Sequence, residues 1–205
     1  MESTNKIQEI LGDKLIKVEA GNIAAVDFNT FYGGFSAKGE YVCLYFGAHW
    51  APPSRLFTSA LKDKFYDAIN GDEETKGKVE VIFVTDDRAP DHFERNFKKM
   101  PWYSIPYDEE HRRQTLKSKY GICELPSLVV VSAKTGEVVT HDGRNMISDG
   151  KNALAKWNDM QTQIAQWVKN ERLTKQNAIN ISRYHTVIIF IDNSKNIFDI
   201  LLFYI

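Results

Sequence analysis

Three kinds of pattern alternate along the chain. Residues 41–48, "YVCLYFGA", form an unbroken apolar run, as expected for a strand covered on both faces. "VEVIFVTDD", residues 79–87, predicts a second central strand. Between them, Leu56, Phe57, Ala60, Leu61, Phe65 and Ala68 recur at helical spacing across residues 54–69. Near the start, "STNKIQEILG" reads as a short helix stopped by Gly12. "KLIKVEA" and "IAAVDF" flank Gly21-Asn22, a two-residue hairpin signal. Further on, "DHFERNFKKM" predicts a short helix, "MPWYSIPYD" a proline-bounded loop, and "EEHRRQTLKSKYGI" a helix with Gly121 near its end. "PSLVVVS" and "EVVTHD" predict a hairpin about Thr135-Gly136. The pattern over 151–171 predicts a long helix with Leu154, Trp157, Ile164 and Trp167 toward one side. The order strand, helix, strand, helix, helix, hairpin, helix predicts an α/β fold with a mixed sheet.

After about residue 172 the composition shifts to Ile and Asn, ending in "NIFDILLFYI". This divides the chain into a domain over 1–172 and an apolar C-terminal tail over 173–205. "TVIIFI" and "ILLFYI" carry almost no charge, and each is too short for the about 18–20 residues of a spanning helix. The tail is expected to be a by-product of translated AT-rich sequence, to fold back on the domain, or to insert into a neighbouring subunit. No transmembrane span is expected. The first ten residues, "MESTNKIQEI", have neither the apolar core of a signal peptide nor the arginines of a transit peptide. A cytoplasmic or other reducing compartment is the expectation, with assembly inside an organelle left open.

Composition narrows the chemistry. The 205 residues carry a net charge of −1, so no nucleic-acid partner is expected. Two cysteines, Cys43 and Cys123, imply no disulfide framework. His49, His92, His111, His141 and His185 are scattered, with no metal-ligand spacing, and no glycine pattern suits a phosphate. No metal and no cofactor are expected. "DDR" at 86–88 reads as a strand exit.

At the end of the first central strand stands "HWAPPSRLF", residues 49–57. Pro52 and Pro53 suit the first turn of a helix, where backbone N–H groups have no partner in any case. Together with "MPWYSIPYD", "YGICELPSLVVV" and "TGEVV", this stretch resembles the tryparedoxin and nucleoredoxin branch of the thioredoxin superfamily, over residues 14–170. The resemblance implies a thioredoxin fold, a mixed central sheet flanked by helices, with an N-terminal β-hairpin extension and a C-terminal tail. It also implies a cis bond before Pro126 and a peptide groove formed by Trp50, Pro52, Pro53, Leu125 and Pro126. The branch carries W-C-P-P-C as its redox motif; here Ala51 and Ser54 stand at the two cysteine positions.

Dithiol exchange needs a thiolate to attack a disulfide and a second thiol to resolve the intermediate. Ala51 offers neither, and Ser54 offers a hydroxyl with no adjacent base, so no residue is assigned as catalytic. Ser54 is expected to cap or pack the helix start. Cys43 stands eight positions before Ala51, on the order of 25 Å away at about 3.3 Å per residue, and is expected to pack as a small apolar side chain. Cys123, in the loop the resemblance places beside the motif, is a candidate monothiol site. Two functions follow. One is a redox-inactive adaptor or structural subunit, bound to a protein partner or a larger assembly. The alternative is a thiol–disulfide oxidoreductase of the tryparedoxin or nucleoredoxin type whose two active-site cysteines have been replaced.

Overall fold

The computed structural model describes residues 5–170, 190–192 and 197–199. Asn5 opens helix α1 (Lys6–Leu11) by accepting the N–H groups of Ile7 and Gln8 on its side chain. A hairpin follows, β1 (Lys14–Glu19) and β2 (Asn22–Asp27), paired from Lys14 with Asp27 to Glu19 with Asn22. Its turn lies at Ala20-Gly21, one residue earlier than Gly21-Asn22. Both turn residues have positive φ, 49° and 81°, the backbone that two-residue hairpins demand. Helix α2 (Phe28–Phe35), which the sequence pattern did not predict, is capped by the Asp27 side chain on the N–H of Thr30.

Strand β3 (Tyr41–Gly47) is buried along its whole length. Helix α3 (Pro52–Ala60) passes without a break into a π-helical stretch, Leu61–Tyr66, and a last turn, α4 (Asp67–Asn70). Then come β4 (Val79–Thr85), α5 (Pro90–Phe97), the two-residue β5 (Tyr103–Ser104) inside the expected loop, and α6 (Glu110–Lys119). The hairpin β6 (Ser127–Ser132) and β7 (Val138–Thr140), the short α7 (Gly143–Met146) and the long α8 (Asn152–Asn170) complete the domain. The seven-stranded sheet runs β2-β1-β5-β4-β3-β6-β7. Its centre is parallel, β3 against β4 and β4 against β5, while β6 runs antiparallel to β3. This is the expected thioredoxin fold with its mixed sheet.

Both sheet faces are covered. Tyr41, Tyr45, Phe65, Phe83, Phe97 and Trp157 belong to the core on one side. Ile7, Leu15, Phe31, Val42, Leu44 and Ile82 belong to the core on the other. Odd and even residues of β3 separate onto the two faces, as the strand period requires. Of the 173–205 tail, two short strands are described: β8 (Phe190–Asp192) pairs antiparallel with β9 (Ile197–Asp199). The expected insertion into a neighbouring subunit concerns a tail of which residues 173–189, 193–196 and 200–205 lie outside the described ones.

Candidate functional site

β3 delivers the chain to the corner between strand and helix. Ala51 is the N-cap of α3, with extended φ and ψ of −93° and 107° and no side-chain cap. Pro52 and Pro53 have no N–H to satisfy, and the next two, from Ser54 and Arg55, reach the carbonyl of Ala51 at 3.0 and 3.4 Å. The prolines thus replace a polar cap as helix starters.

The corner is fixed mainly from the end of β4. Asp87, buried, accepts the N–H of His49 at 2.7 Å on one oxygen and the hydroxyl of Thr85 at 2.9 Å on the other. The indole N–H of Trp50 donates to the carbonyl of Asp86 at 3.0 Å, and the Arg88 guanidinium lies 5.0 Å from the Trp50 ring centre. Arg55 donates to the carbonyl of His49 at 2.5 Å. Arg113, also buried, donates to the carbonyls of Thr85 and Tyr107 at 3.0 and 2.8 Å, tying α6 to the end of β4. From beneath, the Tyr45 hydroxyl lies 3.0 Å from the Ser54 carbonyl and 2.7 Å from the Thr58 hydroxyl. Burial pushes the Tyr45 phenol up to about 12, so it stays a neutral donor. In sequence, "DDR" at 86–88 reads as a strand exit. That Asp87 would turn back onto a residue 38 positions earlier in sequence has no local signal.

A groove of about 400 Å³ opens on the corner. Trp50, Ala51, Pro52 and Pro53 line one side; Ile122, Cys123, Glu124 and Leu125 line the other. The ion pair of Lys117 with Asp86, at 2.6 Å, also lines it. The Leu125–Pro126 bond is cis, as the resemblance implied. The structure therefore brings Trp50, Pro52, Pro53 and Leu125 together around Ala51, with Cys123 on the facing wall. Trp50 is 45% exposed, and Leu56, one turn into α3, is 77% exposed.

Ser54 caps nothing. It lies in the first turn of α3, only 1% exposed, and its hydroxyl has no hydrogen-bond partner. A buried hydroxyl left unpaired costs about 1–3 kcal/mol, whereas a thiol is a weak donor that behaves as a small apolar group. The slot at position 54 suits sulfur better than oxygen. No base is hydrogen-bonded to the Ser54 hydroxyl.

The two thiols lie in opposite environments. Cys43 is fully buried in β3 between Val81 and Val130, and desolvation followed by the Glu80 charge pushes its thiol far up, holding it protonated. Cys123 is exposed, its sulfur 3.4 Å from the Gly121 carbonyl. His49 and His92 lie with ring centres 6.0 Å apart, and burial lowers His141. Among the described residues no group of three His, Cys, Asp or Glu could hold a metal ion, and no helix is long and apolar enough to cross a membrane.

Comparison with known proteins agrees with this geometry. The thioredoxin-like family matches residues 39–138. The nucleoredoxin of Bos taurus is 33% identical over 162 residues, covering 78% of this chain and 34% of that protein. The chain therefore spans about a third of the length of the curated nucleoredoxins that it matches. Native tryparedoxin I from Crithidia fasciculata superposes with a TM-score of 0.57 at 32% identity, over 70% of this chain and 91% of that one. A tryparedoxin II complexed with glutathionylspermidine gives a TM-score of 0.59 at 27% identity, over 72% and 94% of the two chains.

Proposed function

The chain belongs to the tryparedoxin/nucleoredoxin branch of the thioredoxin superfamily, and from that premise we propose that it is a thiol–disulfide oxidoreductase domain by architecture. It carries alanine and serine where the exchange needs its two sulfurs. The observation that carries this reading is the buried, unpartnered hydroxyl of Ser54, in a slot suited to a thiol one turn behind Ala51. The rest of the corner supports it: a helix start at position 51, the facing cis Leu125–Pro126 bond and a groove able to take an extended substrate segment.

The chemistry is explicit. With sulfur at position 51, its thiolate attacks a substrate disulfide, forms a mixed disulfide and expels one substrate thiolate. A thiolate at position 54 then attacks the sulfur at position 51 and releases the second substrate thiol, and both electrons of the reduction come from the domain's dithiol. The N-terminus of α3 stabilises the first thiolate. As the sequence stands, neither step has a nucleophile at the corner, and the site binds without exchanging.

The double substitution Ala51→Cys with Ser54→Cys tests this. The variant reduces a small aromatic disulfide at least about a hundredfold faster than the parent chain, and Ala51→Cys alone stalls as a mixed disulfide. A double variant that folds yet reacts no faster than the parent overturns the oxidoreductase reading. A second reading, a non-covalent adaptor, is favoured by the exposed Trp50 and Leu56 beside the groove. In that case the parent chain retains a partner segment that Trp50→Ala releases, while the double variant gains nothing.

A further inference from the structure

Helix α6 sends two cations to the end of β4. Lys117 pairs with the carboxylate of Asp86. Arg113, one turn earlier, is buried, and its bonds go to main-chain carbonyls, Thr85 at 3.0 Å and Tyr107 at 2.8 Å. The guanidinium also lies 4.8 Å from the ring centre of Tyr107. Its Nε has no partner, and among the described residues no carboxylate pairs with it. A buried cation without an ion partner costs stability, so its presence asks for a cause in what those two carbonyls do.

The ladder between β4 and β5 supplies that cause. The N–H of Ile105 reaches the carbonyl of Phe83 at 3.0 Å. Two residues further, the same parallel pattern would carry the N–H of Tyr107 to the carbonyl of Thr85. β5 runs into Pro106 instead, and pairing ends at Ile82 and Phe83. Arg113 fills the missing rung, with one amino group on the continuation of each strand. Thr85 is thus held from α6 at the point where the chain turns into Asp86 and Asp87. These hold the Trp50 wall of the groove: the Thr85 hydroxyl and the His49 N–H both go to Asp87, and the Trp50 indole goes to the Asp86 carbonyl. The facing wall is the continuation of α6 itself. The N–H of Ile122 closes on the carbonyl of Lys117 at 2.9 Å, and Cys123, Glu124 and Leu125 follow. One helix therefore leads into one wall and holds the other, and Arg113 is the buried link between them.

We propose that Arg113 is a positioning residue that sets the spacing of the two groove walls, and through it favours an extended peptide disulfide, which must contact both walls, over a small one that touches the corner alone. The chemistry rests on the oxidoreductase reading above; the geometry does not. Arg113 touches neither reacting sulfur and acts only through Thr85 and the two aspartates.

Two measurements test it. The first uses the prereduced chain with Ala51→Cys and Ser54→Cys in single turnover. Its substrates are a small aromatic disulfide and an extended peptide whose cysteine carries the same aromatic thiol, so the leaving group is common and only the peptide contacts differ. Adding Arg113→Met lowers the ratio of the peptide rate to the small-disulfide rate roughly tenfold, and Arg113→Lys, which keeps the charge and can reach one carbonyl, lowers it roughly threefold. The lysine variant gives the same readout if the methionine variant does not fold. A ratio within about twofold of the starting one overturns the proposal, including the case where both rates fall together. The second measurement needs no exchange. Bimane attached to the exposed Cys123 of the parent chain is quenched by contact with Trp50 on the facing wall, and Trp50→Phe gives the unquenched level. Arg113→Met and Arg113→Lys brighten the label toward that level. Trp50-dependent quenching equal to that of the parent overturns the proposal. If the double cysteine variant is itself inactive, the oxidoreductase reading fails, and the bimane measurement alone decides the role of Arg113.

Discussion

Asp87 and Glu80 stand at the two ends of β4, Asp87 buried just beyond its last residue and Glu80 partly exposed near its first. Asp87 receives one donor on each oxygen, the His49 N–H and the Thr85 hydroxyl. Glu80 receives two donors on a single oxygen, from Tyr66 and Val81. The donors of Asp87 come from the corner that it organises, so its two oxygens tie the end of β4 to the His49 backbone just before Trp50. The charge of Glu80 is poorly spread, and desolvation prevails. One strand thus holds a carboxylate bonded into the corner on both oxygens and another, near its far end, bonded on one oxygen and pushed up by desolvation.

Each end also has a thiol, and the two sharpen the contrast most. Cys43, beside Glu80, is buried and held protonated; Cys123, across from the corner, is exposed. Iodoacetamide at neutral pH is expected to reach and modify the exposed Cys123 in the folded chain. Cys43 should react more than about a thousandfold slower, limited by opening of the sheet. Mass spectrometry of the native chain against the urea-unfolded chain reads both. Equal rates would mean that β3 opens locally and that the centre of the sheet is not the rigid element described.

Next in size is the anchor itself. Asp87→Ala strands the His49 N–H and the Thr85 hydroxyl without their buried acceptor, a loss of about 2–3 kcal/mol. For a chain of this size, that lowers the melting temperature by roughly 5–10 °C. Because the Trp50 indole depends on the same turn, its fluorescence should shift toward that of a solvent-exposed tryptophan. A loss below about 1 kcal/mol with unchanged fluorescence would show that the corner stands on its prolines alone, and the anchor would be no anchor.

The sequence carried the frame more readily than these carboxylates. Apolar runs and helical spacing are local, and they placed β3, β4, α3 and the long α8; the motif stretch placed the corner, because proline at a helix start has a local cause. Ala20 shows one limit. A two-residue hairpin puts two residues at positive φ, but Ala carries no mark of it, so the turn was read one residue late. Helix α2 shows another, since Gly33 and Gly34 interrupt a pattern whose main cue was the cap at Asp27. Ser54 reads in sequence as either a capping or a packing residue, and only the folded chain sets its hydroxyl inward and unpaired. Glu80 sits in "VEVIFVTDD" as a polar residue in an apolar run, and its partner Tyr66 lies 14 residues earlier on another element. Asp87 reaches 38 residues back to His49. Partnerships of that kind belong to the folded chain, and no spacing rule within a strand or helix encodes them.

The smallest expected effect belongs to the other carboxylate of the corner. Asp86 pairs with Lys117 at 2.6 Å, and both side chains remain 25% exposed. Water and salt reach such a pair, so its net worth is at most about 1 kcal/mol, even though its distance is shorter than any bond to Asp87. Trp50 binds the carbonyl of Asp86, not its carboxylate, so removing Lys117 leaves the indole in place. Lys117→Met should lower the melting temperature by no more than about 2–4 °C. The difference from the parent should vanish in 1 M salt, where charges are screened within about 3 Å. Thermal melts at low and high salt decide it. If Lys117→Met costs as much as Asp87→Ala, and the cost persists in salt, then the groove-lining pair anchors the corner as firmly as Asp87. The strength of a carboxylate here would then follow from its shortest contact and not from how its donors are spread.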